Sequence, residues 1–152
     1  MSFGITTGKT VTTVLPGDGW WPDLALSEFL TLYRLPAEYA EELLADHLNI
    51  ARLWAIKLLM PWRAENEPQA GGQSLEQFFF FGIQGAAALL FKRAVYCRAK
   101  ALLLQQFATV ERREAAKNDA KDGPETAEYF LAQAQDSIAT LTGRTFIGVE
   151  LI

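Results

Sequence analysis

The residues best suited to chemistry in this chain are one histidine, His47, and one cysteine, Cys97. A nucleophilic cysteine needs a base beside it, and a structural zinc site needs several sulfur or imidazole ligands. His47 is the only candidate base, and it lies far from Cys97 in the sequence. We therefore expect no metal site and no thiol-based active site. Cys97 is predicted to be a small buried hydrophobe and His47 a residue at the edge of the core or at an interface.

A nucleotide-binding motif is approximated near the N-terminus, where residues 4–10 have the sequence GITTGKT. A P-loop has four residues between its two glycines, follows a strand and opens a helix. Here the gap is one residue short, no apolar strand precedes it, and the turn-forming residues 16–19 follow. The acidic residues of segment 38–46 suit a solvated helix face better than an acid/base pair. The chain is thus predicted to be no enzyme and to have no catalytic residue and no cofactor.

The composition favours a protein that buries apolar surface against other subunits. The chain has 152 residues, half of them hydrophobic, and a mean hydropathy of +0.06. That length suits one domain with its own core, and the surplus apolar surface indicates subunit contacts. A net charge of −4 argues against a dedicated nucleic-acid binder, whose surface is normally basic. With one cysteine no intrachain disulfide forms, which suits a reducing compartment.

Neither a signal peptide nor a membrane span is expected. The first residues lack a basic stretch followed by an apolar one. The longest apolar stretch, residues 78–91, is shorter than the roughly 18–20 residues that cross a bilayer and contains two glycines.

Helical spacing of apolar residues predicts an all-α bundle of about four helices over residues 20–143. The first is expected to begin at an N-cap on Asp23 and to run to about Leu35, and the second to run from Ala37 to about Arg63, with a kink or an end at Pro61. The third, rich in alanine and so suited to the centre of a bundle, is expected from about Gly85 to Lys117. The last is expected to open at Pro124 and to end at a C-cap on Gly143.

Both ends of the chain are predicted to be extended. Residues 1–19 alternate Thr with Val and then turn, as an arm with no core of its own. Within the tail, residues 144–152, the stretch 145–152 is mostly apolar and β-branched, and a single strand needs a partner edge for its backbone groups. The tail is therefore predicted to dock on another chain.

Four consecutive phenylalanines, Phe78 to Phe81, follow a capping-box pattern at Ser74–Gln77. The glycines at 82 and 85 weaken the helix that this pattern predicts, so residues 75–85 are expected to be partly extended or irregular. One core cannot easily hide four adjacent phenyl rings. They either plug the end of the bundle or form a subunit interface, where aromatic residues are enriched.

Three stretches resemble the head completion proteins (connector-adaptor, or head–tail joining, proteins) of phages with contractile tails. They are Trp20-Trp21-Pro22-Asp23 before the first helix, residues 91–103 (FKRAVYCRAKALL), and residues 143–152 (GRTFIGVELI). The resemblance covers roughly residues 20–152. Residues 78–90 depart from it, since they are far more apolar than the acidic segment expected there.

The resemblance implies a structural virion protein of the phage neck. Such a protein forms a homo-oligomeric ring of about twelve subunits, a dodecamer, beneath the portal protein. The ring completes the DNA-filled head and presents the docking surface for neck and tail terminator proteins. DNA passes through its lumen without sequence-specific contact, and assembly takes place in the host cytoplasm.

Residues expected to contact the portal or a neighbouring subunit are apolar and lie in the tail, before the first helix and in the phenylalanine run: Phe146, Ile147, Val149, Leu151, Ile152, Trp20, Trp21, Phe79 and Phe80. Two other functions stay open. A nucleic-acid-binding accessory protein of genome packaging would use the basic residues of the third helix, among them Arg93 and Lys100. A membrane-active protein would use residues 78–91, although these lack the basic residues that such segments carry at the interface.

Overall fold

The computed structural model describes residues 11–107 and 125–144, and this part of the protein is mostly helical. It contains helices α1 (Leu26–Leu32), α2 (Glu41–Asn66), α3 (Ala86–Gln106) and α4 (Ala127–Thr142), with a short 3-10 helix, Glu67–Ala70, after α2. Strand β1 (Val14–Leu15) pairs antiparallel with β2 (Leu24–Ala25), and β3 (Phe79–Phe80) with β4 (Ile83–Gln84). The helical bundle is confirmed, while an all-α description is too simple because of these two small sheets.

Helix α3 lies at the centre of the bundle and packs against both α4 and α2. Four successive residues, Ala94 to Cys97, are buried, so α3 is covered on nearly all sides. Its buried alanines let the neighbouring helices approach closely. The structure thus confirms the central position predicted for this helix from its alanine content. The predicted extension of the helix to Lys117 lies outside the described residues.

Helix α2 buries one broad face, and Pro61 does not end it. The buried positions follow helical spacing: Leu44, Leu48, Ala51, Ala55, Leu59 and Trp62. Pro61 lies on the exposed face, one turn after exposed Lys57. Pro61 has no N–H to donate to the Lys57 carbonyl, and Lys57 is exposed, so this carbonyl is on the side of α2 that is accessible to water. Of the two outcomes predicted at Pro61, a kink or an end, the end is wrong, because α2 runs on to Asn66.

Helix α1 is shorter than predicted, and Asp23 does not cap it. The Asp23 carboxylate instead accepts a hydrogen bond from the backbone N–H of Gly17, at 2.7 Å, and the N-cap position is Ala25. At the other end the Leu35 N–H donates to the Leu30 carbonyl at 3.1 Å, across Arg34 with φ of 51°. This is the hydrogen bond of a Schellman motif, which ends the helix before Leu35.

The ends of α4 show how side-chain and glycine caps define a helix. Thr126 is the N-cap, and its hydroxyl accepts from the Tyr129 N–H at 3.2 Å. Gly143, with φ of 75°, donates its N–H to the Ala139 carbonyl at 2.7 Å and confirms the predicted C-cap. Pro124, the predicted start of this helix, lies outside the part that the structure describes.

The segment before α1 is folded onto its own chain. The Asp18 carboxylate accepts hydrogen bonds from the backbone N–H groups of Trp20 and Trp21, at 3.1 and 2.9 Å, and from Arg63 of α2 at 2.8 Å. Burial opposes ionisation of Asp18, but the hydrogen bond from Arg63 and those from the two backbone N–H groups outweigh it and lower its pKa. Of the predicted arm 1–19, residues 11–19 therefore lie against the body of the molecule, through β1 and Asp18.

We expect Asp18→Ala to lower the unfolding free energy at pH 7 by about 1–3 kcal/mol, because two backbone N–H groups lose their acceptor. Since the folded-state pKa is depressed, this stability is present above the ordinary value of 3.8 and is lost as the pH falls through the folded pKa. Urea unfolding at pH 7 and pH 3 measures both effects. The difference in unfolding free energy between wild type and Asp18→Ala should be smaller at pH 3 than at pH 7. Asp18→Asn, which keeps one acceptor oxygen, is the control. A gap that widens at pH 3 would contradict this prediction.

Candidate partner interface

The two adjacent tryptophans are part of the core of this chain. Trp20 and Trp21 are only 2% and 4% exposed. The Trp20 ring lies 5.5 Å from Phe78 and 6.1 Å from Trp62, and the Trp21 ring stacks on Phe91 of α3 at 4.6 Å between centroids. Sequence reasoning placed both residues at a partner interface, yet in the structure they join the N-terminal segment to α2 and α3. We therefore leave them out of the candidate interface.

The four phenylalanines divide between the core and the surface. Phe78 and Phe80 are half-buried, and each lies about 6 Å from the Trp62 ring. Phe79 is 58% exposed and Phe81 is 90% exposed. The opposite exposures of Phe79 and Phe80 follow from the extended backbone of β3, whose successive side chains point to opposite faces. The run thus plugs one end of the bundle with two of its rings and presents the other two to the outside.

Phe81 and Gly82 form the two-residue turn between β3 and β4. Both have positive φ, 50° for Phe81 and 81° for Gly82, which is the backbone of a type I′ hairpin turn. The N–H of Gly85 closes the loop on the Phe78 carbonyl at 3.0 Å. The prediction of an extended or irregular segment over 75–85 is confirmed. The capping-box residues form only one of their hydrogen bonds, from the Ser74 N–H to the Gln77 side chain at 2.9 Å, without a helix.

Phe81 holds a backbone conformation that favours other residues. A type I′ turn usually has Asn or Asp before the glycine, because they tolerate positive φ, and a bulky residue there costs about 1–2 kcal/mol. The Phe81 ring contacts that of Phe80, at 4.8 Å between centroids, and is otherwise largely in solvent. Strain and exposure together make Phe81 a candidate for a contact with another protein. We call Phe79, Phe81 and Ile83, which is 63% exposed, the hairpin tip.

A second exposed apolar surface lies on α2. Ile50, Leu53 and Met60 are between 55% and 62% exposed and share one helix face with Lys57. Their spacing of three, four and three residues is that of a coiled-coil seam, on the face opposite the core. We call Ile50, Leu53, Lys57 and Met60 the α2 stripe. Neither Phe81 nor this stripe was among the predicted site residues, although the Phe-Gly pair and the heptad spacing were signals in the sequence.

The basic residues of α3 are engaged within the chain. Arg93 donates to the Gln133 side chain at 2.5 Å, and Lys100 donates to the Tyr33 carbonyl at 2.6 Å. Both line a cleft of about 180 Å³ between the end of α1, α3 and α4, where Arg34 pairs with Glu125 at 3.1 Å. These contacts favour structural pairing over phosphate binding.

The side chains that could do chemistry are used in packing. Cys97 lines the same cleft but is 1% exposed, and burial raises the pKa of its thiol, so a reactive thiolate is disfavoured. The Nδ1 atom of His47 lies 2.9 Å from the Leu43 carbonyl one turn earlier in α2. Over residues 11–107 and 125–144, no group of three or more His, Cys, Asp or Glu side chains is placed to hold a metal ion. Within the same ranges, no helix combines the length and apolar character of a membrane span.

Several predicted residues lie outside the described ranges. These are the P-loop-like segment 4–10 and the five apolar residues of the tail: Phe146, Ile147, Val149, Leu151 and Ile152. The hairpin tip and the α2 stripe are therefore the candidate interface that the structure defines.

Comparison with known proteins gives this surface a context. The model of the phage head completion protein (GPL) family matches residues 15–152. A probable head completion/stabilization protein of Haemophilus phage HP1 (strain HP1c1) is 29% identical over 134 residues, which cover 87% of each chain. No solved structure matches. The family match covers both candidate surfaces and the whole helical bundle, and the chain belongs to the phage head completion protein family.

Proposed function

We propose that this chain is a structural protein of the phage neck that forms a ring beneath the portal. The observation that carries the proposal is Phe81, a strained and 90% exposed aromatic residue, in a chain of the head completion family. An aromatic residue held at the tip of a hairpin is suited to anchor a contact with another protein, because such residues dominate interface energies. The ring completes the DNA-filled head and provides the docking surface for neck and tail proteins.

Two further features support a ring. A ring contact is heterologous, so each subunit needs two different surfaces that complement each other. The hairpin tip and the α2 stripe are two such apolar surfaces on one chain. The net charge of −4 suits a lumen through which DNA passes without binding, since like charges repel. A ring of about twelve copies is the number that we propose for such a closed contact.

The tail is the second element of the proposal. Phe146, Ile147, Val149, Leu151 and Ile152 would dock on the portal or on an adjacent subunit by adding a strand to a partner sheet. The protein would then be found in the host cytoplasm during assembly and in the virion neck afterwards.

The proposed function is tested by removing the gene for this chain from its phage. We expect DNA-filled heads that fail to join tails, and purified protein added to these heads should restore joining. Particle counts by electron microscopy and infectious titre measure the outcome. Heads that join tails normally without this chain would refute the proposal.

Phe81→Asn separates stability from assembly. We expect the free energy of unfolding of this variant to be about 1 kcal/mol higher than that of wild type, because Asn tolerates positive φ. We also expect it to restore head completion at least about tenfold less well, because the interface loses an aromatic anchor. Urea unfolding and the joining assay measure the two effects.

The matched control is Arg34→Asn, at the second non-glycine residue with positive φ in the described part of the chain. This substitution relieves similar strain away from the candidate interface, and it removes only an exposed ion pair with Glu125, which is worth little. We expect it to complete heads as wild type does. If Phe81→Asn also completes heads as wild type does, Phe81 has no role in assembly.

A further inference from the structure

The hairpin tip and the α2 stripe cannot cover each other within one chain. Phe80, at the base of the tip, lies against Trp62, which belongs to the buried face of α2. Leu53 and Met60 lie roughly 160–180° around the helix from Trp62, at 100° per residue. The two apolar surfaces are therefore on opposite sides of α2, and both are exposed in the single chain.

We propose that the hairpin tip of one copy docks on the α2 stripe of the next copy. This inference rests on the proposed function and specifies the contact that builds the ring. A second copy of the chain is the occupant because every copy carries both halves of the contact. Pairing of unlike surfaces leaves one tip and one stripe free at the ends of any open row of copies, so the contact repeats until a ring closes.

The two surfaces match in chemistry. Residues 77–91 carry no charged side chain, so docking of the tip buries no charge of its own. Lys57 is the one charged residue of the stripe and lies between Leu53 and Met60 on the same face. Its aliphatic stem packs on apolar surface while its ammonium group can lie over a phenyl ring of the incoming tip, a favourable cation–π contact. Phe81, with its ring almost fully in solvent, is the residue that supplies this ring.

The area is sufficient for a specific contact. From their exposed fractions, the tip and the stripe each present roughly 300–400 Å² of apolar surface, given 150–250 Å² for a large side chain. Together they make up about the apolar share of an interface at the lower end of the usual 1,200–2,000 Å². A contact of this size is weak for an isolated pair and becomes stable when it is repeated around a closed ring, which suits a protein that assembles on the head.

The test is site-specific cross-linking in assembled heads. Heads completed with the double variant Phe81→Cys/Leu53→Cys, co-expressed with wild-type chain to support assembly, are treated with a short bismaleimide and analysed by gel. We expect a ladder of dimers, trimers and higher multiples of the chain. The wild-type chain is the blank, because its Cys97 is buried. Each single variant is a further control and should give no ladder.

Other outcomes overturn the contact. Dimers from Phe81→Cys alone would show that tips pair with each other, and adducts with a different protein would show that the tip docks elsewhere. The absence of any ladder would also refute the pairing. If heads completed with the double variant give no ladder but still join tails, the proposed function stands and the tip-to-stripe contact is refuted. If heads lacking the chain also join tails, the proposed function itself falls.

A mixing experiment in solution gives a second measurement. It disrupts each surface in a separate variant and asks whether mixing the two variants restores association. At protein concentrations high enough to populate a weak pair contact, Phe81→Asp and Leu53→Glu are each expected to weaken self-association by about thirtyfold or more, the effect of losing an interface anchor. Mixed together, the two variants keep one intact tip and one intact stripe, so they should form a heterodimer but no larger species. Leu32→Glu, an exposed apolar position at the end of α1, is the control and should associate as wild type does. A mixture without heterodimer, or a Leu53→Glu variant that associates normally, would overturn the proposal.

Discussion

Trp20→Ala should lower the unfolding free energy of this protein by about 3–5 kcal/mol, the usual cost of removing a buried aromatic side chain. Trp20 is fully surrounded by Trp21, Trp62 and Phe78, and its carbonyl accepts the Leu75 N–H at 3.0 Å. Small domains are stable by about 5–15 kcal/mol, so this loss removes a large share of the free energy of unfolding. The amount of folded protein available for head completion should fall accordingly.

Urea unfolding followed by far-UV circular dichroism measures the effect. Trp20→Phe is the control: it keeps most of the packing and removes an indole N–H that has no hydrogen-bond partner among the described residues. We expect this variant to fold and to complete heads. If Trp20→Ala instead had wild-type stability and failed only in assembly, Trp20 would be a partner contact and its position in the core would be wrong.

Removing residues 145–152 should leave the stability of the protein unchanged and abolish its activity in head completion, unlike the change at Trp20. We expect a folded protein with unchanged helical content, because α4 is closed at Gly143 by its hydrogen bond to Ala139 and its buried residues end at Leu141. We expect head completion to fall to background, because the tail docks on a partner in the proposed assembly.

Thermal unfolding measures the stability of the truncated protein, and the joining assay measures its ability to complete heads. The double variant Ile147→Asp/Val149→Asp is a length-matched test, since it keeps the chain length and removes the apolar character. Thr145→Ser, a mild change in the same segment, is the control and should complete heads normally. Truncated protein that completes heads as wild type does would show that the tail has no part in assembly.

Much of the bundle could be predicted because helical periodicity is a local signal. The buried stripe of α2, the start of α3 at Gly85 and the C-cap at Gly143 were all predictable from spacing and residue type. Each depends on residues within one or two turns of each other. The same holds for the extended segment 75–85, where two glycines and four phenylalanines disfavour a helix.

The errors arise where a distant contact decides. Asp23 has the right type for an N-cap, but the Gly17 N–H takes its carboxylate and the chain continues as a strand paired with Val14. Trp20 and Trp21 were predicted to contact a partner because sequence alone does not show the hydrogen bonds of Asp18. The Asp18 carboxylate accepts from the Trp20 N–H and from Arg63, which holds this segment against α2. Pro61 is tolerated because it lies on the exposed face of α2, which depends on which face the rest of the bundle covers.

Only part of the candidate interface could be predicted, because the rest depends on contacts between residues that are not neighbours in the sequence. Phe79 and Phe80 were predicted from the run of four adjacent phenylalanines, and in the structure Phe79 is exposed and Phe80 half-buried. Phe81 became the main candidate only with its positive φ and its exposure, since both depend on the register of the hairpin.

The central claim, that copies of this chain form a ring on the portal, is tested most directly by mass. The purified protein, the purified portal and their mixture are measured by native mass spectrometry. We expect the mixture to contain one portal ring carrying a closed set of about twelve copies of this chain, with tip-to-stripe contacts between them. Portal without bound chain, or portal with scattered copies that never reach a fixed number, would contradict the account.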